Sequence, residues 1–271
     1  MRTITVQTEN PLELRLYLAE KYPCIPPAIL RRALKNKDVK RNGVRLRAED
    51  PVADGEQLDV YIDEKYFSFP VLWENDAVLC IEKPQGVPCE TVQSLYFPYA
   101  LCHRLDTMTG GILMLAKSEE ALAEMENLFK ERSLTKLYQG IVSGNPEPSA
   151  DLHAFLKKDA KKSTVSVSAH SQPGALPIHT GYRLVRKQGP FSLLEIHLYT
   201  GRTHQIRAHL ASVGLPIVGD EKYGDFSINR QVNVHRQQLW AVSLRFPKLT
   251  GPLSGLSEVE IRSIPHFSIS I

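Results

Sequence analysis

Leucines at positions 12, 14, 16 and 18, interrupted by Arg15 and Tyr17, form the first hydrophobic run of the chain, which ends before Pro23. The run predicts a short helix, although its alternation also suits a strand. Pro26-Pro27 introduces Ala28-Ile29-Leu30-Arg31-Arg32-Ala33-Leu34-Lys35. Proline fits the first turn of a helix, so a basic helix is predicted over 27–36. Asn42-Gly43, between Val39 and Val44-Arg45-Leu46, predicts a tight hairpin. Asp54-Gly55 predicts another turn, and Leu58-Asp59-Val60-Tyr61-Ile62 an alternating strand.

The texture changes near residue 65. Segments 69–76 and 77–84 predict two strands around Asn75-Asp76, and Gly86, Pro88 and Pro98 predict loop. Residues 111–117 read as a buried strand, and 118–132 as an amphipathic helix with Leu122, Met125 and Phe129 at helical spacing. A strand over 137–142 is stopped by Gly144, Pro146 and Pro148. Alternation recurs at 164–169, 178–185 and 191–198. A helix is predicted over 201–213, with Ile206, Leu210 and Val213 as its buried stripe, then strands near 239–246 and 258–261. Many strands joined by turns, with two main helices, predict an α+β fold with a mixed or antiparallel sheet. The expected division is a small unit over 1–64 and a larger one over 65–271.

Composition bounds the class. A chain of 271 residues, 42% hydrophobic and 23% charged, is an ordinary globular protein of one or two domains. The net charge of +3 says little, but its distribution says more. Residues 31–47 hold eight Lys/Arg and one acid, Asp38, while seven acids follow between 49 and 64. On a helix followed by a hairpin, such cations share one side and fit a polyanion, with Arg31, Arg32 and Lys35 as candidate contacts; a merely solvated face is the plain alternative. Cys24, Cys80, Cys89 and Cys102 make no C-x-x-C pair, and no signal-peptide pattern is seen. A reducing cytoplasm is therefore expected, without a disulfide framework or zinc site. No apolar run approaches the roughly 20 residues of a membrane helix, so no membrane partner is expected.

Candidate chemistry begins at His103-Arg104-Leu105-Asp106, followed by Thr107-Met108-Thr109-Gly110-Gly111. A carboxylate held beside cations stays ionised and aimed, as a nucleophile must be; a structural ion pair or turn cap is the commoner fate of a single Asp. Gly201-Arg202-Thr203-His204-Gln205-Ile206-Arg207-Ala208-His209 supplies further cations. Arg202 is expected in the first helical turn, where free N–H groups also favour an anion. Arg207, next to buried Ile206, needs a carboxylate partner, with Asp106 the candidate and some other acid the alternative. Tyr138 is either a packing residue of its strand or a group beside the carboxylate. Gly214 and Gly219 have P-loop spacing but are followed by Asp220-Glu221, and His204 and His209 do not share a helical face.

Two resemblances follow from these motifs. Residues 10–62, with helix, helix, basic turn and V-x-x-N-G … D-G-x-x-L-x-V, resemble the small α-L RNA-binding module named after a ribosomal small-subunit protein. His103-Arg104-Leu105-Asp106, Thr109-Gly110, Tyr138, Gly201 to Arg207, Pro216-Ile217-Val218-Gly219-Asp220 and Tyr223-Gly224 resemble, in that order, the RluA-type pseudouridine synthases over residues 66–250. Leu72-Trp73-Glu74-Asn75-Asp76 and Glu82-Lys83-Pro84-Gln85-Gly86 fit that family's opening strands. The resemblance implies isomerisation of uridine in RNA to pseudouridine without metal or organic cofactor. It implies Asp106 as nucleophile, toward either the ribose anomeric carbon or the uracil ring, Tyr138 stacked on the base and helping to remove the proton from carbon five, and Arg207 paired with Asp106. Arg202 would shape the site and meet phosphate, Arg104 would support a flipped uridine, and His103 and His204 count with them as substrate contacts. The expected partner is a ribosomal RNA stem-loop in preference to transfer RNA, met by a monomer. The other reading is a non-catalytic RNA-binding or ribosome-assembly factor that keeps the fold. Thr107, Met108, Gly111 and Trp240 depart from the family's usual residues, the segment between Gly86 and His103 is short, and these positions are expected near the RNA path.

Overall fold

In a computed structural model that describes residues 1–159 and 163–269, Asn42 and Gly43 both take positive φ, 51° and 80°, as a two-residue hairpin turn requires. The chain forms two compact units, Met1–Pro70 and Val71–Ile271. The smaller contains β1 (Arg2–Thr5), β2 (Leu12–Glu13), α1 (Leu14–Lys21), α2 (Pro27–Asn36), β3 (Val39–Arg41), β4 (Val44–Arg45), β5 (Pro51–Val52) and β6 (Gln57–Val60). Its main sheet has the order β1-β6-β3-β4, and β2 pairs with β5. Leu14 and Leu18 of α1 are fully buried, and α1 packs on α2 through Leu30 and Ala33. That leaves Arg31, Arg32 and Lys35 on the exposed side of α2. Phe67 and Phe69 are buried, and Phe67 meets the Tyr22 ring edge-on at 5.3 Å, which ties the end of this unit to its core.

The larger unit runs β7 (Val71–Glu74), β8 (Val78–Lys83), α3 (Cys89–Leu95), β9 (Ala100–Leu101), β10 (Gly110–Ala116), α4 (Glu119–Lys130), β11 (Thr135–Ser143), β12 (Ser149–Asp159), β13 (Thr164–Ser168), β14 (Leu176–Gln188), β15 (Phe191–Leu198), α5 (Gln205–Ser212), α6 (Phe226–Gln231), β16 (Leu239–Arg245) and β17 (Glu260–Arg262). Among the described residues these strands form one eleven-stranded sheet ordered β13-β12-β14-β15-β11-β16-β10-β8-β7, with β17 on β16 and β9 on β10. All pairings are antiparallel except β10 with β16. All seven residues of β10 are buried. It is the hydrophobic centre onto which the Asp106 segment leads.

Gly110 and Gly111 make the parallel pairing possible. A Cβ at Gly110 would lie 2.3 Å from the Trp240 ring, and one at Gly111 would lie 2.2 Å from the Ala241 carbonyl oxygen. Gly111 also has φ +108°, a conformation L side chains avoid. Trp240 is buried and donates from Nε1 to Ser263 Oγ. Neither Trp240 nor Gly111 lines the cleft described below, whereas Thr107 and Met108 do.

Three segments differ from expectation. Residues 89–95, read as loop, form α3, because Pro88 sits at the helix start, where its missing N–H costs nothing. Strand β12 was not anticipated. Ala150, Leu152, Ala154 and Leu156 alternate with more exposed neighbours, but two of the four are alanines and only Leu156 is fully buried, so the period is weak and the strand is held by its pairing with β13 and β14. Helix α5 begins at Gln205 and not at 201, and Val213, expected in its buried stripe, is 45% exposed.

Candidate active site

An open cleft of about 1030 Å³ brings together Asp106, Tyr138, Arg202, His204 and Arg207 from segments far apart in sequence. Asp106 lies in the irregular stretch between β9 and β10, where Thr109 N–H donates to its carbonyl and closes a turn. Lys83, with no exposed surface, anchors that stretch from below. Its Nζ donates to the carbonyls of Pro84, Val87 and Thr107 at 2.9–3.1 Å, and burial pushes the ammonium down to about 8. Buried Gln237 donates to Thr109 Oγ1 at 2.6 Å on the other side. The nucleophile candidate is thus held through its backbone as well as its side chain.

Arg207 organises the charge. Its Nε and Nη2 donate to Asp220 Oδ2 and Oδ1 at 2.6 and 2.9 Å, and its Nη1 donates to Asp106 Oδ2 at 2.8 Å. The Asp220 side chain is fully buried, and its Oδ1 also accepts the backbone N–H groups of Lys222 and Tyr223. Burial alone would raise the Asp220 carboxyl, but the Arg207 fork outweighs it and holds it below the usual range. Burial alone would likewise lower Arg207, and its two carboxylates raise it instead. One guanidinium against two carboxylates leaves a net charge of −1. The surplus belongs to Asp106, the carboxylate that faces the cleft and remains 23% exposed.

Tyr138, on β11, is buried beside the same cleft. Burial, and after it the Asp106 charge, pushes its phenol above the ordinary range, so the hydroxyl keeps its proton at neutral pH. His103 is committed to the scaffold: its Nε2 accepts Met114 N–H at 3.2 Å and its ring tilts against Phe129. Arg104 projects its exposed guanidinium outward and pairs with Glu90 of α3. Arg202 does not occupy a first helical turn. It stands exposed in the turn before α5, because Gln205 Oε1 accepts both Arg202 N–H and the Thr200 hydroxyl and shapes residues 200–204 into that turn. His204 closes the turn at φ 54°, a strained value for a residue with a side chain.

Lys83, Asp220, Gln205 and Tyr223 went unassigned as site residues at the sequence level. Asp220 carried a signal, an acid directly after a Val-Gly pair, but nothing local told which cation it would meet. Asp151, His153 and His179 are the described residues whose ligating atoms gather closely enough for a metal ion, and none of them lines the cleft. The two rings stack at 4.0 Å and 20°, and both direct Nε2 at the exposed Asp151 carboxylate, which pairs with His179 and lies 3.4 Å from His153.

A half-buried histidine, His103, and a buried one, His209, set an acid limit. Burial pushes His103 and His209 each down to about 4. The unfolded chain takes up protons on such rings below about 6.5, whereas the folded protein does so only near 4. Stability therefore falls as pH drops from about 6.5 to about 4. The loss attributable to His209, which is 1% exposed, reaches on the order of 3 kcal/mol. Urea midpoints across that window will show a shallower slope in His209→Gln than in the native chain; equal slopes would remove His209 as the cause.

Comparison with known proteins follows the same residues. Residues 77–212 match the family described as RNA pseudouridylate synthase. The chain is similar to ribosomal large subunit pseudouridine synthase C of Vibrio cholerae, at 28% identity over 85% of this chain and 83% of that protein. It is also similar to an uncharacterized RNA pseudouridine synthase of Mycoplasma genitalium, at 30% identity over 81% and 79% of the two chains. Among solved structures, human RNA Pseudouridylate Synthase Domain Containing 1 superposes with a TM-score of 0.59 at 25% identity, covering 74% of this chain and 91% of that one.

Proposed function

The chain belongs to the RNA pseudouridylate synthase family and is an isomerase that converts uridine in RNA to pseudouridine; from that premise we propose that its substrate is a stem-loop of ribosomal RNA and that Asp106 is the nucleophile. The observation that carries the site assignment is the 2.8 Å bond from Arg207 to Asp106 Oδ2, which leaves Oδ1 free to attack. Asp106 forms a bond to carbon, the glycosidic C–N bond breaks and the uracil turns in the cleft; a C–C bond then forms, the Asp106–carbon bond is broken again to free the carboxylate, and the proton lost from carbon five is balanced by one taken up at the released ring nitrogen. Nothing is oxidised or reduced. Tyr138 stacks on the base, and Arg207 orients the carboxylate. Arg202 and Arg104 are exposed at the cleft, where flanking phosphates and the flipped nucleotide require cations. Extrusion costs roughly a few kcal/mol and least in loops, which favours a stem-loop.

The ribosomal substrate draws on the name carried by the Vibrio cholerae relative. We assign the smaller unit to RNA capture, because Arg31, Arg32 and Lys35 stand exposed on α2 beside the basic hairpin. A reducing compartment such as the cytoplasm suits its four free cysteines, and among the described residues no helix is long and apolar enough to cross a membrane. Transcribed ribosomal RNA and transfer RNA, incubated with the purified protein and read by carbodiimide labelling and primer extension, test the substrate. Stops in ribosomal RNA are expected; stops confined to transfer RNA would overturn the assignment. Reversing the charge of Arg31, Arg32 and Lys35 together is expected to weaken RNA affinity at least about tenfold at low salt and to flatten its salt dependence. An unchanged salt slope would make the patch a solvated face.

A further inference from the structure

Among the described residues that line the cleft, His204 is the one non-glycine residue with a positive φ, and its ring is held by a defined partner. Its Nδ1 lies 2.9 Å from the Tyr223 hydroxyl, and the two rings meet edge to face. That hydroxyl already accepts Val165 N–H at 2.8 Å, so its own hydrogen is available to point at Nδ1. Tyr223 is itself fixed, because its backbone N–H bonds to Asp220 and its ring lies under the Arg207 guanidinium at 5.2 Å. An imidazole that accepts at Nδ1 carries its proton on Nε2 when neutral. Burial lowers the affinity of this ring for a second proton; the Asp106 and Asp220 charges oppose that, nearby Arg207 and Lys222 add to it, and the net direction is downward. Nε2 stands 3.9 Å from Asp106 Oδ2, beyond hydrogen-bond reach, and faces the space beside the carboxylate where substrate must sit.

We propose that His204 donates a hydrogen bond from Nε2–H to a carbonyl oxygen of the uracil as the glycosidic bond is broken, and that Tyr223 is the positioning residue that fixes the required tautomer. The proposal rests on the synthase reading of the cleft. Whether Asp106 bonds to the anomeric carbon or to the uracil ring, the displaced electron pair places negative charge on the base, shared by its oxygens. A preorganised neutral donor stabilises that charge without giving up its proton, so no proton has to be returned before the C–C bond forms. The strained backbone at His204 is what swings the ring out of the α5 helix and over the nucleophile.

Nitrogen-15 spectra of the histidine-labelled native protein test the geometry without any RNA. The Nε2–H tautomer is expected for His204, and a mixture of tautomers in Tyr223→Phe; an Nδ1–H tautomer in the native protein overturns the proposal. Single-turnover kinetics on the RNA modified by the wild type test the role. His204→Ala is expected to slow conversion about a hundredfold with substrate affinity changed less than about threefold. His204→Gln, whose amide carries an N–H donor, should recover at least about tenfold of that loss. Tyr223→Phe should slow the native enzyme about tenfold but leave the His204→Gln variant unchanged, because glutamine has no tautomer to fix. Equal losses in the Gln and Ala variants, or the same Tyr223→Phe penalty in both backgrounds, would reduce these residues to packing. Failure of the wild type to modify any RNA would count against the synthase reading, whereas the tautomer result stands or falls separately.

Discussion

Asp106→Asn will lower pseudouridine formation by at least about a thousandfold, about 4 kcal/mol of transition-state stabilisation, while RNA binding and thermal stability stay close to native. The asymmetry follows from the charge count. Arg207 is already neutralised by its fork to Asp220, so removing the Asp106 charge takes the cluster from −1 to zero and strands no buried ion. Asparagine keeps an oxygen to accept the Arg207 Nη1 hydrogen, and the Lys83 and Thr109 contacts of the segment run through backbone atoms. What is lost is the lone pair of a carboxylate, which an amide oxygen does not replace as a nucleophile. Parallel assays of carbodiimide-detected conversion and of RNA affinity check this. Native turnover in the variant would end the nucleophile assignment, and loss of binding together with turnover would recast Asp106 as a structural residue.

Asp220→Ala is expected to act in the opposite way, on stability first. It leaves two donor groups of a buried guanidinium without a partner, together with the N–H groups of Lys222 and Tyr223. Breaking a buried pair from one side costs about 3–5 kcal/mol, against at most about 1 kcal/mol for an exposed pair. Activity should fall as well, because the freed guanidinium turns both arms toward Asp106 and covers the oxygen that attacks. Urea unfolding gives the first quantity and conversion rates the second. A double change, Asp220→Leu with Arg207→Met, should regain much of the stability and none of the activity. A single-variant loss below about 1 kcal/mol would mean that water reaches the pair.

These outcomes also mark where local pattern stops being informative. The helix over 27–36 and the Asn42-Gly43 hairpin were legible to the residue, because proline placement and positive φ are properties of a few neighbouring side chains. The buried strand after Asp106 was legible from its apolar run. Strand β12 was not, since a half-exposed ribbon owes its extension to partners on either side. The start of α5 was misplaced by four residues because Gln205 spends its amide on Thr200, His179, Thr180 and Arg202, none of which is a matter of helical propensity.

The sequence by itself determined the family, the carboxylate and the cations available to it, since ordered motifs survive as strings whatever the fold does with them. It also implied that Arg207 must be paired, since an arginine beside a buried stripe needs an anion. Only the tertiary structure decided how that pairing is divided. Asp220 takes two donors and Asp106 one, so that Asp106 alone keeps an open oxygen and the surplus charge. Likewise only the approach of β13 to the Tyr223 turn places a donor on that hydroxyl and thereby orients the ring of His204. The physical reason is the same in both cases. Hydrogen-bond valence is shared among groups distant in sequence, and which group is left with an unused donor or acceptor depends on every partner at once.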